Sequence, residues 1–380
     1  VAVTSLLDND LYQLTMSQYA WLHHRGRSVR FRFRNRTFSV PLAEAIDLGV
    51  LRERLDEVVA TRFTPADVEM AGALGLLDEA FLAALPGFRL PAIELGERGG
   101  HLELTYEGPW HEAIFLETPV LAVVSQLHRE QLGETLAEGE RRLDAKVRYL
   151  AANPQLRFME FGTRRRASGP WQRHVLERLV AEVPGSVLGT SNVLFAHELG
   201  LPALGTMAHQ LFMVEAALAL ADGGDLGASE VQVVERWEAL YPTLRTLLPD
   251  TYTTPFALAH VDHAAVWPMV RLDSGDPLAV GELVLDWWRR NGEDPRAHGL
   301  VFSDALDLRT MNVLHDTFAD RTTVTFGWGT NLTNDLGFEA LSLVIKPDAV
   351  DGLPCVKLSD NLAKATGPRD EIDRYRALIR

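Results

Sequence analysis

Beyond about residue 150 the chain repeats one pattern: a short apolar run ends in Gly, Asp, Ser or Thr, and an amphipathic stretch of helical period follows. The runs are L-R-F-M-E-F-G-T, S-V-L-G-T-S-N, A-L-G-T-M-A-H, T-L-L-P-D-T-Y-T-T, V-W-P-M-V-R-L-D-S-G-D, G-L-V-F-S-D and T-T-V-T-F-G-W-G-T-N. Helices are expected over 281–291 and 308–318 between the later ones. Seven strand–loop–helix units predict parallel strands with helical crossovers, in a doubly wound sheet or a closed β/α barrel. Polar residues recur at every strand's carboxyl end, and a barrel gathers those ends at one mouth. An open sheet would concentrate them at a single switch point, so the barrel is the expectation.

Residues 1–118 carry a mixed pattern. The stretch 8–24 reads as a helix with Leu11, Leu14, Tyr19 and Leu22 near one face. Residues 28–40, S-V-R-F-R-F-R-N-R-T-F-S-V, alternate apolar and basic with period two and predict a half-buried strand with a solvated arginine face. Residues 41–85 read as helical, and 88–118 as short strands broken by Gly and Pro. The tail, 348–380, holds a short strand (C-V-K-L-S) and a charged final helix.

Composition narrows the function classes. A net charge of −15 over 380 residues argues against a nucleic-acid partner, although a few Arg and Lys can still form a local anion pocket. The single Cys355 cannot form an internal disulfide, and no Cys/His cluster has zinc spacing, which fits a reducing compartment. The first ten residues lack the basic start and apolar run of a signal peptide, and no stretch nears the roughly 18 apolar residues of a membrane span. The expectation is a cytoplasmic protein without membrane contact.

The chemistry-bearing residues fall at the strand ends. E-F-G-T-R-R-R sets three arginines after Gly162 and Thr163, and arginine's rigid donor fork suits phosphate or pyrophosphate, although a solvated loop has the same composition. V-R-L-D-S-G-D-P puts Arg271 and Asp273 on one side of a strand, as a salt bridge or as part of a site, and Ser303–Asp304 repeats the theme. F-G-W-G-T-N is a glycine-rich turn that lacks both the dinucleotide fingerprint and the phosphate-loop lysine. His209 lies near a helix start, where local packing and a functional role are both open. Lys346 is the only lysine ending a late strand, so little supports a Schiff-base lyase. Arginines, carboxylates and glycine-rich loops together suit a phosphorylated sugar.

Seven motifs then occur in a distinctive order: D-N-D-L-Y-Q-L-T-M, E-F-G-T-R-R-R, G-T-S-N-V, G-T-M-A-H, V-R-L-D-S-G-D, V-F-S-D and G-W-G-T-N. From about residue 6 to 367 the chain resembles the nicotinate phosphoribosyltransferases. The resemblance implies an irregular seven-stranded β/α barrel over 119–347 and an α+β domain built from 1–118 and 348–380. It implies transfer of the phosphoribosyl group of phosphoribosyl pyrophosphate to nicotinate in NAD biosynthesis, with Mg²⁺ held mainly by pyrophosphate rather than by protein ligands. It also implies ATP as co-substrate, and a homodimer with shared active sites. Nicotinamide or quinolinate as the acceptor is the alternative.

Carried onto this sequence, the resemblance makes His209 the phosphohistidine. Tyr12 of a partner subunit would stack on the pyridine opposite Phe161, and Arg271 and Thr206 would contact nicotinate. Arg164 would face pyrophosphate or the ring, Asp273 and Asp304 the ribose, and Gly327, Gly329 and Thr330 the 5′-phosphate. The nicotinamide-using relatives carry Asp where Ser191 stands, which favours nicotinate here. Many bacterial relatives place Glu after the phosphohistidine, whereas this chain has Gln210, a departure that bears on ATP coupling.

Overall fold

A computed structural model describes residues 5–133, 136–262 and 266–380. The chain divides into two compact units, Val1–Gly205 with Trp328–Lys346, and Thr206–Gly327 with Pro347–Arg380.

In the first unit, α1 (Leu11–His23) buries Leu11, Leu14 and Tyr19 as the pattern predicts. Leu22, expected on the same face, is 41% exposed. The helix is buried nearly all round from Leu11 to Ala20, polar Gln13, Thr15, Ser17 and Gln18 included, so it has no single apolar stripe to extend to Leu22. Strand β1 (Ser28–Asn35) buries Val29, Phe31 and Phe33. It stops short of residue 40 because the Asn35 amide donates to the carbonyls of Thr37 and Val40 while its Oδ1 accepts from Thr37 N, turning the chain.

Helices α2 (Leu42–Ala45), α3 (Leu48–Ala60), α4 (Pro65–Ala73) and α5 (Glu79–Ala84) follow. Side chains of Asp47, Thr64 and Asp78 accept from the first-turn amides of α3, α4 and α5. Strands β2 (Ile93–Arg98) and β3 (His101–Pro109) form an antiparallel hairpin, and β3 pairs antiparallel with β1. Phe31 stacks on Tyr106 across that pair at 5.1 Å. Then come α6 (Trp110–Ala113), α7 (Glu117–Gln131), α8 (Leu136–Ala152), β4 (Phe158–Glu160), α9 (Gly169–Glu182), β5 (Val187–Thr190) and α10 (Val193–Leu199). β4 and β5 are parallel.

The second unit holds α11 (His209–Ala221), α12 (Leu226–Leu240), β6 (Thr246–Leu247), α13 (Thr254–His260), β7 (Met269–Leu272), α14 (Pro277–Arg290), β8 (Gly299–Phe302), α15 (Leu308–Phe318) and β9 (Thr323–Trp328), whose last residue belongs to the first unit. β6, β7, β8 and β9 pair in that order, all parallel, over a core that includes Trp237, Trp267, Trp287 and Trp288. The remaining elements are α16 (Thr330–Thr333), β10 (Leu343–Val350), β11 (Leu353–Pro354) and α17 (Arg369–Leu378).

The fold is therefore mixed α/β, with parallel strands and a separate antiparallel sheet. Among the described residues, six of the seven expected segments are strands. The A-L-G-T-M-A-H segment makes only an isolated parallel bridge, Ala203 to Thr190. Pro202 has no amide to donate, and Gly205 at φ +150° turns the chain before a ladder can extend. C-V-K-L-S is likewise one bridge, Lys357 to Thr366, and not a strand. No described helix is long and apolar enough to cross a membrane.

Candidate functional site

Two polar clusters lie at the carboxyl ends of the parallel strands, one in each unit. In the second unit the cluster centres on His209, the first residue of α11 and 4% exposed. Its Nδ1 is 3.1 Å from Thr251 Oγ1, just beyond β6. Its Nε2 is 2.9 Å from Lys357 Nζ and 3.2 Å from Asp273 Oδ2, just beyond β7. Asp250 closes the group with Oδ1 at 3.7 Å from Nε2, and its Oδ2 accepts from Ser274 Oγ at 2.5 Å and Lys357 Nζ at 3.4 Å. Burial, reinforced by the Lys357 charge, lowers the His209 ring to about 4 against the pull of Asp250 and Asp273. The imidazole is therefore neutral at pH 7 and has a lone pair to offer.

Asp273 joins this histidine to Arg271. Arg271 donates to Asp273 Oδ1 at 2.7 Å and to Ser303 Oγ at 2.8 Å, and Ser303 Oγ donates to Asp273 Oδ1 at 2.7 Å. Burial works to raise the Asp273 carboxyl, but Arg271 and His209 overcome it and hold it well below the ordinary carboxylate range. The same contest, won by Lys357, lowers Asp250. Of the other predicted residues in this unit, Thr206 donates to the Thr246 carbonyl at 3.3 Å. Asp304 pairs with Lys364 at 2.6 Å on the exposed surface. Gly327 lies inside β9.

His209, Asp250 and Asp273 have ligand-type atoms within 4.8 Å of one another. Two carboxylates there are already matched by two cations, Lys357 and Arg271. The donor set has no net negative charge left for a resident divalent ion, so it does not fit one.

In the first unit, the loops after β4 and β5 meet the start of α1. Ser191 Oγ donates to Asp10 Oδ1 at 2.6 Å, and Thr118 Oγ1 to Asp10 Oδ2 at 3.3 Å. Burial raises the Asp10 carboxyl against the opposing Ser191 bond and Arg164 charge. Tyr12, two residues on, is half-buried as a residue, and its hydroxyl is buried. Burial, then the Glu117 and Asp10 charges, push that hydroxyl well above its ordinary range. Glu117 lies 3.9 Å from Arg164 and 3.6 Å from Lys346.

Two of the three arginines differ in role. Arg166 is 5% exposed and forks onto both oxygens of Asp8 at 2.6 Å, with Gln172 Oε1 at 2.9 Å. Asn192 also donates to Asp8, at 2.7 Å. Arg166 is thus committed to the scaffold, whereas Arg164 keeps 26% of its side chain exposed. Glu160, at the end of β4, accepts from Gly162 N, Gln172 and Thr190 and fixes the turn that carries Phe161. Phe161 N donates to Trp328 O at 2.9 Å, bringing Gly329 so close that a Cβ there would stand 3.0 Å from the Phe161 carbonyl. Thr330 opens the single turn of α16, so no long helix follows the glycine-rich turn.

The structure thus groups His209, Asp273 and Arg271 in one unit, and Tyr12, Arg164 and Ser191 in the other, with Phe161, Gly329 and Thr330 adjoining. Sequence reasoning passed over Lys357, Asp250, Thr251 and Asp10. Asp250 and Thr251 ended one of the seven recognised runs, a signal that could have nominated them. Lys357 lay in a segment read as tail.

Comparison with known proteins covers both halves of the chain. Residues 7–125 match the nicotinate phosphoribosyltransferase (NAPRTase) N-terminal domain, and 156–377 match the nicotinate phosphoribosyltransferase (NAPRTase) family. The nicotinate phosphoribosyltransferase of Porphyromonas gingivalis is 30% identical, with a TM-score of 0.89 and 99% of each chain covered. That of Vibrio cholerae is 31% identical, with a TM-score of 0.90 over 100% of this chain and 94% of the other. A putative nicotinate phosphoribosyltransferase of Saccharomyces cerevisiae is 25% identical, with a TM-score of 0.90 over 100% and 98%. On these matches, the chain belongs to the nicotinate phosphoribosyltransferase family.

Proposed function

We propose that this chain joins nicotinate to phosphoribosyl pyrophosphate on an irregular β/α barrel, and couples the transfer to ATP through His209. The observation that carries the reading is the family match over both halves of the chain. In the transfer, the pyridine nitrogen attacks C1 of the ribose as the C1–oxygen bond to pyrophosphate breaks, giving nicotinate mononucleotide and free pyrophosphate. Positive charge develops on the ribose, and Asp273 and Asp304 oppose it. Arg164 meets the leaving group or the ring, Arg271 and Thr206 hold nicotinate, and Gly327, Gly329 and Thr330 hold the 5′-phosphate. Mg²⁺ carried by the pyrophosphate, rather than held by residues of this chain, would offset the negative charge on its oxygens.

His209 supports the coupling because its ring is neutral and buried between a lysine and two carboxylates. The imidazole attacks the γ-phosphorus of ATP and ADP leaves; hydrolysis of the phosphohistidine later returns phosphate and the free ring. Tyr12 is half-buried as a residue with its hydroxyl covered by its own chain, and we assign its ring to a second copy's pyridine subsite in a homodimer.

Nicotinate is favoured over nicotinamide because Ser191 stands where the nicotinamide-using relatives carry Asp, and its hydroxyl, donated to Asp10 at 2.6 Å, adds no anion that would repel a carboxylate or accept from an amide NH₂. Incubation with phosphoribosyl pyrophosphate, Mg²⁺ and nicotinate, nicotinamide or quinolinate in turn, with chromatography of the products, tests this. A mononucleotide from nicotinate is expected; turnover of nicotinamide or quinolinate alone would overturn the assignment.

A further inference from the structure

Helix α12 buries Glu230 to 1% exposure, and neither of its carboxylate oxygens has a hydrogen-bond partner among the described residues. An ionised carboxylate in that position would be heavily penalised. The charge acting most directly on it is Asp250, itself an anion, and the nearby Tyr252 also feels it. Among the described residues, no cation from the helices packed on α12 pairs with Glu230. From α11, Glu215 is paired with Arg236 of α12 at 2.9 Å. From α13, His260 lies against Gly227 with Nδ1 2.8 Å from the Phe256 carbonyl.

We propose that Glu230 is a positioning residue that occupies its site as an uncharged carboxylic acid and so adds no further anion to compete with Asp250 for Lys357. Asp250 has one lysine to balance it, at 3.4 Å, and that lysine also touches His209 at 2.9 Å. A second anion behind Asp250 would draw on the same lysine and loosen its hold on the histidine. Burial, and then the Asp250 charge, push the Glu230 carboxyl up to about 8, which agrees with a neutral acid at pH 7. The sign of the consequence is fixed. A carboxyl raised in the folded state contributes stability that is fully present below its unfolded value of about 4.3 and is lost as pH rises through about 8.

The test compares the native chain with Glu230→Gln, which cannot ionise, by thermal unfolding from pH 5 to pH 9. The melting temperature of the variant should gain on the native one by several degrees between pH 5 and 8 and then level off. A gap that stays constant across the range overturns the proposal. Should Glu230→Gln not fold, Glu230→Met is expected to give the same trend, and a flat gap there overturns it equally. Labelling of His209 from γ-³²P-ATP extends the test, and this arm rests on the reading of His209 as phosphoryl acceptor. Native labelling should fall above about pH 8 while Glu230→Gln labelling does not; a shared fall contradicts the proposal. Absence of labelling in both proteins at every pH would refute the acceptor reading, with the unfolding data still deciding the charge of Glu230.

Discussion

His209 is the residue whose environment most constrains the chemistry. Its ring is kept neutral at pH 7 by burial and by Lys357, so it can act as a nucleophile without first losing a proton. His209→Asn should abolish acid-labile ³²P labelling and ATP stimulation while leaving slow ATP-independent transfer, because the glycosyl step uses other side chains. Retained stimulation would return this histidine to a packing role. Arg271 carries a second residue-scale prediction. A charge-assisted pair with the nicotinate carboxylate is worth roughly 1.5–3 kcal/mol, so Arg271→Ala should raise the nicotinate KM about ten- to hundredfold. An unchanged KM would remove Arg271 from the substrate. Ser191→Asp should weaken nicotinate further by adding an uncompensated anion beside Asp10; improved use of nicotinate would contradict the selectivity argument.

At the scale of elements, the loop before α1 is held to the turn after β4 by the buried Asp8–Arg166 fork. Breaking such a pair from one side leaves a buried charge and costs about 3–5 kcal/mol, which Arg166→Ala should show in urea unfolding at pH 7. Burial works to raise Asp8, but Arg166 prevails and the net shift is downward. The stabilisation is therefore present above the ordinary carboxylate range, near 4, and lost as pH falls through the lowered folded value. The difference between native and variant stability should shrink below about pH 4; a constant difference would mean the pair is not ionic.

The same elements show what the sequence made legible. Period-two alternation located β1, and the apolar runs ending in polar residues located β4 to β9, because strand burial imposes those spacings directly. Arg166 looked identical to Arg164 in the string R-R-R, and only the position of Asp8, 158 residues away, separates their roles. Lys357 was invisible for the same reason. It reaches His209 across 148 residues from a single bridge that has no periodicity to betray it. The A-L-G-T-M-A-H run matched a strand in composition, but Pro202 and Gly205 limit it to one bridge.

At the scale of the whole molecule, a chain of net charge −15 is read as binding three anionic substrates, so recognition falls to the few cations set among its carboxylates. The proposed homodimer makes a prediction at this scale. Mixed Tyr12→Ala and Arg271→Ala proteins, assayed at low nicotinate where each alone turns over little, should regain part of their activity through hybrid dimers once subunits exchange. Failure to complement despite measured exchange would place Tyr12 in its own chain's site. The transfer itself is open to ³¹P NMR of one reaction containing the protein, nicotinate, phosphoribosyl pyrophosphate, Mg²⁺ and ATP. Pyrophosphate and nicotinate mononucleotide should rise together, one for one, only when nicotinate is present, with ADP and phosphate accumulating alongside. Phosphoribosyl pyrophosphate left intact in the presence of nicotinate, or consumed equally without it, would rule out the transfer.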